Sequence, residues 1–86
     1  MNNVIKTIRV AEQMGRLLTG KFNGRKHFAK ACQLLAGMSP DALIVLDFKG
    51  AEYVSASWIN AMILPLIEFA ADEKNDFFVV VRNFPE

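Results

Sequence analysis

A small α/β domain, ordered strand, helix, strand, helix, strand, is what the sequence predicts, with parallel pairing of the buried strands through right-handed crossovers. Three observations predict it. Leu43-Ile-Val-Leu46 is an unbroken apolar run that ends in Asp47-Phe48 and is closed by Lys49-Gly50, the pattern of a strand buried on both faces. Phe28, Ala31, Cys32 and Leu35 recur at i, i+3, i+4 and i+7, which is one face of a helix. Phe77 to Val81 is a further apolar run that follows a polar turn. At 86 residues the chain is one domain near the lower end of the usual size range, with room for a mostly parallel sheet of three or four strands and two main helices.

Taken in order, Val4 to Val10 alternates apolar and polar residues and reads as a first strand exposed on one side. Ala11 to Leu18 contains good helix formers, enough for a short helical turn, and Thr19 to Gly24 reads as a loop. Asn23 is placed to cap a helix from Arg25 to about Ala36, which Gly37-Met38-Ser39-Pro40 terminates. After the central strand, a second helix is expected from Ser57 to about Ala71, capped by Ser55 or Ser57. Pro65 falls inside it, removes one backbone hydrogen bond and crowds the Ala61 carbonyl, so a kink is expected. Asp72 to Asp76 forms the turn into the last strand, and Arg82-Asn-Phe-Pro-Glu86 closes the sequence. There are no internal repeats or low-complexity segments.

Composition narrows the class. A single cysteine, Cys32, cannot form an internal disulfide and points to a cytosolic compartment. The opening Met1-Asn-Asn-Val-Ile-Lys-Thr-Ile-Arg9 carries charges inside its apolar part and does not read as a signal peptide. No stretch reaches the roughly 20 apolar residues of a spanning helix, so no membrane partner is expected. The charge is divided between the halves: seven basic residues against one acidic over 1–40, and three basic against eight acidic over 41–86. Such asymmetry suits docking on an acidic partner or head-to-tail self-association, and equally the ordinary solvated faces of a small domain.

The order apolar strand, Asp47-Phe48, the short Gly50-Ala-Glu-Tyr-Val54 segment, Ser55-Ala56-Ser57 and then a helix resembles the core of STAS domains, best known as anti-sigma-factor antagonists. Ser57-Trp58 after a strand ending in Asp-Phe is similar to the STAS-like branch. The resemblance spans roughly residues 4 to 82 and is strongest in the centre. It implies a non-catalytic regulatory module whose partner is a histidine-kinase-like ATPase or kinase. Antagonists of this kind usually present Asp-Ser-Ser/Thr-Gly at the turn, with the first serine phosphorylated. Here Ser55 stands at the Asp position, Ala56 at the phosphoacceptor and Trp58 at the glycine, and Ile59-Asn60-Ala61 lacks the acidic residues of the branch. The fold therefore carries over more readily than the switch. STAS domains generally continue with another helix after this last strand, whereas this sequence stops at Glu86, so an uncovered flank that favours a homodimer or a completing partner is expected.

Ligands of open α/β sheets meet the crevice beyond the carboxyl ends of the strands, which is where Ser55, Ala56, Ser57 and Trp58 fall. The second helix is apolar on more than one face, with Asn60 and Glu68 its clearly polar positions, which means either full burial or an interface. Read as an interface, Ser55, Ser57, Trp58, Asn60, Ala61 and Met62 form the partner-binding set, with Trp58 as anchor. Ser55 and Ser57 are also the candidate phosphorylation sites, against the plainer role of helix capping. Thr19 to Lys26 carries two glycines and three cations, of which Lys21, Arg25 and Lys26 are candidate anion ligands at a helix start. Its spacing is wrong for a Walker A loop. The basic stretch 16–30 leaves nucleic-acid binding or small-ligand sensing as an alternative, with Phe22 and Phe28 interleaved among its charges. His27 and Cys32 are badly spaced for a metal, Cys32 belongs to the core stripe, and no cofactor or catalytic arrangement is recognisable. Asp47 reads as a polar site residue or as the cap of the following loop.

Overall fold

The structure, a computed structural model, describes residues 4–85. Met1 to Asn3, part of the opening segment considered for a leader, and Glu86, the end of the closing stretch, lie outside the described residues. The elements are β1 (Ile5–Arg9), α1 (Val10–Met14), β2 (Leu17–Leu18), α2 (Lys21–Leu34), β3 (Leu43–Asp47), β4 (Tyr53–Val54), α3 (Ala56–Ala71) and β5 (Phe78–Arg82). This is the expected small α/β domain. Its main sheet has the order β1-β3-β5, parallel throughout, and β2 and β4 form a separate parallel pair.

Strand order fixes the layers. Two right-handed crossovers that step in the same direction, β1 to β3 to β5, place α2 and α3 on the same face of the sheet. Both helices return against the strand direction, so they run parallel and start together beyond the carboxyl ends of the strands. Because side chains alternate along a strand, one face presents Ile8, Ile44, Leu46 and Val79 to the helices. With Val10, Leu18, Ala31, Leu35, Phe48, Trp58, Met62, Leu66, Ala70 and Phe77 they make the core. The other sheet face carries Ile5, Thr7, Arg9, Leu43, Val45, Asp47, Phe78, Val80 and Arg82, and neither α2 nor α3 covers it.

Two local expectations are corrected. The first long helix begins at Lys21, a turn earlier than the sequence suggests, with Gly20 (φ +87°) as its N-cap residue. Asn23 is not the cap: it lies in the first turn and its side-chain amide donates to the Thr19 carbonyl at 3.1 Å. The stretch 11–18 divides into the end of α1, a Gly15-Arg16 bend and β2, because Leu18 finds a strand partner in Val54. Pro65 is held inside a single uninterrupted α3.

Gly24 explains the early helix start. A Cβ there would lie 2.6 Å from the Ala61 Cβ and 2.9 Å from the Trp58 carbonyl oxygen, so this is where α2 and α3 make close approach. The residue is a packing glycine within the stripe Gly24, Phe28, Ala31 and Leu35, not a loop glycine. Gly24→Ala gains helix propensity but collides with backbone, and should lower stability by about 1–3 kcal/mol. Denaturant unfolding would show it as a lower midpoint; an unchanged or higher midpoint would mean that the helices can separate freely.

Candidate functional site

The starts of the two long helices are tied to each other by one hydroxyl. Ser55, the N-cap residue of α3, accepts a hydrogen bond from the Trp58 backbone N–H at 3.1 Å and another from the Gly20 backbone N–H at 3.2 Å. With both lone pairs engaged, its own proton is left for Ser57 Oγ, 3.1 Å away. Ser55 is thus half-buried and structural, since a phosphate there would break both caps, whereas Ser57 is exposed one position into the first turn of α3.

Below this knot the helix pair opens outward into a cleft of about 510 Å³ lined by Lys21, Arg25, Phe28, Ser57, Asn60, Ala61 and Pro65. Two cations, a hydroxyl and a carboxamide stand against an apolar wall of Phe28, Ala61 and Pro65. Pro65 has no N–H to give the Ala61 carbonyl, so that wall also holds a backbone acceptor without its intrahelical donor. The arrangement can hold an anionic group beside an apolar one and accept a hydrogen bond further along. The cleft lies where the Ser55–Trp58 turn was expected to work, and it unites Ser57, Asn60 and Ala61 with Lys21 and Arg25, which the sequence had presented as separate candidates.

Besides the capping Ser55, four candidates do not join it. Trp58 is fully buried, 0% exposed, and Met62 with it, so neither is a docking residue; they face the core between the helices and the sheet. The apolar excess of α3 is mostly burial, with Leu64 and Ile67 as its exposed remainder. Lys26 faces the opposite flank of α2, beside His27 and Lys30, and takes no part in an anion site with Lys21 and Arg25. Asp47 is a loop cap: its Oδ1 accepts from the Lys49 backbone N–H at 3.0 Å and from the Asn83 side chain at 2.9 Å. Those two bonds, led by Asn83, hold its carboxyl below the usual carboxylate range.

What the sequence did not disclose is the partner of Trp58. Its Nε1–H donates to His27 Nδ1 at 2.9 Å across the α2–α3 interface, and its ring meets Phe48 edge-on, with centroids 6.2 Å apart. The accepting Nδ1 requires a neutral imidazole with its proton on Nε2. A buried indole must find an acceptor, and the one histidine three positions beyond Gly24 on the packing side of α2 was the available signal. Cys32 is half-buried and its thiol is pushed up by burial, which suppresses the reactive thiolate. Among the described residues no group of three or more histidine, cysteine or carboxylate side chains is placed to hold a metal ion. Among the same residues no helix is long and apolar enough to cross a membrane.

No family model, curated protein or solved structure matches the chain. Fold and cleft together define a two-layer α/β domain with a cationic, apolar-walled cleft at the helix starts.

Two outcomes follow for the His27–Trp58 pair. Trp58→Phe keeps most of the packing but loses the buried N–H bond and should cost about 1–3 kcal/mol, while Trp58→Arg should fail to fold, which far-UV circular dichroism and thermal melts would show. His27 titrates below the ordinary histidine range, first because of burial and then because of the Lys26 and Lys30 charges. The neutral ring is the form the fold favours, so its stabilisation is whole above the pKa of an unfolded histidine and is lost as pH falls through the lower folded value. Melting curves recorded as pH falls across that range should therefore decline, and His27→Gln, whose amide oxygen can still accept, should flatten that decline.

Proposed function

We propose that this chain is a non-catalytic protein-binding module that receives an acidic segment of a regulatory partner in the α2–α3 cleft, beside the turn Val54–Trp58. The observation that carries this reading is the convergence of Lys21, Arg25, Ser57 and Asn60 over the Phe28, Ala61 and Pro65 wall. Cations against carboxylates supply orientation, the apolar wall supplies desolvation, and the Ala61 carbonyl, which has no i+4 donor because of Pro65, suits a peptide N–H better than a lipid tail. Its lining of two cations, a hydroxyl and a carboxamide over an apolar wall supports a binding reading.

The resemblance to STAS-like domains gives the partner its class, a kinase or ATPase of the histidine-kinase-like type. Ala56 stands where the phosphoacceptor would be, so the module acts constitutively or through another device. Ser57, exposed and close to two cations, is the one hydroxyl of the turn that a phosphate could occupy without dismantling a cap. The reading is favoured over nucleic acid by the distribution of charge: Lys21 and Arg25 face the cleft while Lys26 and Lys30 face away, so the basic half does not form a single stripe.

A displayed library of random peptides tests the proposal. Selected sequences should combine acidic residues with an apolar one and should shift the amide resonances of Lys21, Arg25, Ser57 and Asn60. The Lys21→Glu/Arg25→Glu double variant should weaken them by about tenfold or more. Ligands without acidic residues, or ligands bound equally by the double variant, would remove the cleft as the docking site.

A further inference from the structure

The uncovered sheet face carries a second and separate inference, independent of the cleft. Parallel sheets are found almost only where both faces are covered, because strands paired this way are apolar on both sides. Here the row Ile5, Leu43, Phe78 and the row Thr7, Val45, Val80 form an apolar face away from the helices. Ile5 is 63% exposed, Phe78 60% and Val80 41%. Val45 is buried only because it is flanked by two neighbouring strands, and it stands apart from the helix-side core.

Charge chooses what covers this face. At the carboxyl ends of the strands lie Arg9, Lys49 and Arg82 around Asp47 and Glu12, a net positive end. At the amino ends, the Asp41 backbone N–H donates to the Asp76 carbonyl at 2.9 Å, so the loops entering β3 and β5 are joined, and they carry Asp41, Asp72, Glu73 and Asp76 against Lys74. The face is thus apolar in the middle, positive at one end and negative at the other. A surface of that kind is complementary to itself when turned end over end. We propose that two copies of this chain pack sheet on sheet about a twofold axis perpendicular to the strands, so that the positive end of each lies over the negative end of the other. A twofold axis along the strands would instead bring like ends together.

The size of the face sets the strength. Three strands about 4.8 Å apart and about 17 Å long cover roughly 14 by 17 Å. That is well below the roughly 800 Å² per partner of a standard stable interface, so the dimer is a weak one that forms in the micromolar range or above.

Sedimentation equilibrium of the whole chain from about 10 μM to about 1 mM should show a monomer–dimer equilibrium. Phe78→Lys places a cation at the amino end of the apolar face, over the partner's positive end, and should raise the dissociation constant at least tenfold. Arg82→Glu should weaken the dimer, and more so at low salt. Lys21→Glu/Arg25→Glu should leave it intact, which separates this interface from the cleft. Circular dichroism confirms that the variants are folded, and concentration-dependent amide shifts in the unaltered chain, confined to the outward residues of β1, β3 and β5, give the same answer without substitution. A chain that stays monomeric at the highest concentration, a dimer as tight in Phe78→Lys as in the parent, or shifts confined to α2 and α3 would each overturn the proposal.

Discussion

Trp58 is the residue on which the rest of the arrangement depends. Its backbone N–H is capped by Ser55, its indole N–H is satisfied by His27, its ring packs edge-on to Phe48, and its carbonyl oxygen lies where a side chain at Gly24 would have to go. A single side chain thereby joins the start of α3, the middle of α2 and the exit of the central strand. An unsatisfied buried indole N–H is costly and a charged imidazole cannot accept its hydrogen bond, so the position of α2 along α3 follows from one hydrogen bond as well as from apolar packing. In a domain this small, with no disulfide or metal site among the described residues, such a fixed point matters more than it would in a larger core.

The same contact shapes the cleft. The helices touch at Gly24 and Ala61 and again where Phe28 meets Phe69 edge-on, and the groove runs along one flank of that contact. Lys21 and Arg25, spaced i and i+4 on α2, then share an edge with Ser57 and Asn60, spaced i and i+3 on α3. Because Ser55 holds Gly20 and Trp58 together, the cleft rim is anchored at its upper end. Cleft and core are therefore parts of one structure, and substitutions at Gly24 or Trp58 would alter the cleft's shape even though neither residue lines it.

Much of the fold was legible in the sequence, and the losses have physical reasons. Leu43 to Asp47 and the long α3 could be read because pattern and burial agree there, and β5 from its apolar run alone. The two-residue strands β2 and β4 carry no period at all; they exist through pairing with each other, which is a tertiary fact. The start of α2 was hidden by Gly20 and Gly24, which look alike in sequence but act differently: one takes a left-handed backbone at the helix boundary, the other lets a neighbouring helix approach. Lys21, Arg25, Ser57, Asn60 and Ala61 were recognisable as candidates one by one, but their convergence depends on the crossing of two helices. Trp58 and Met62 were misplaced because a large aromatic at a helix start has the same sequence signature whether it faces a partner or its own core.

The sheet shows where composition and topology part company. Phe77 to Val81 reads as an apolar strand, yet only Phe77 is buried and Val79 half-buried while the rest are exposed, because β5 is an edge strand in a sheet with helices on one side only. Two crossovers of the same hand could not have produced anything else: covering the other face takes a reversal of strand order, as in doubly wound sheets, or material from elsewhere. The apolar residues on that face contribute little to this fold on their own, since burial is what gives them value. Val45 illustrates the point, being shielded by neighbouring strands and not by a second layer. A strand composed for two covered faces but covered on one is a mismatch between sequence and isolated domain, and the charges at the two ends of the face, opposite in sign, are what make a second copy its fitting complement.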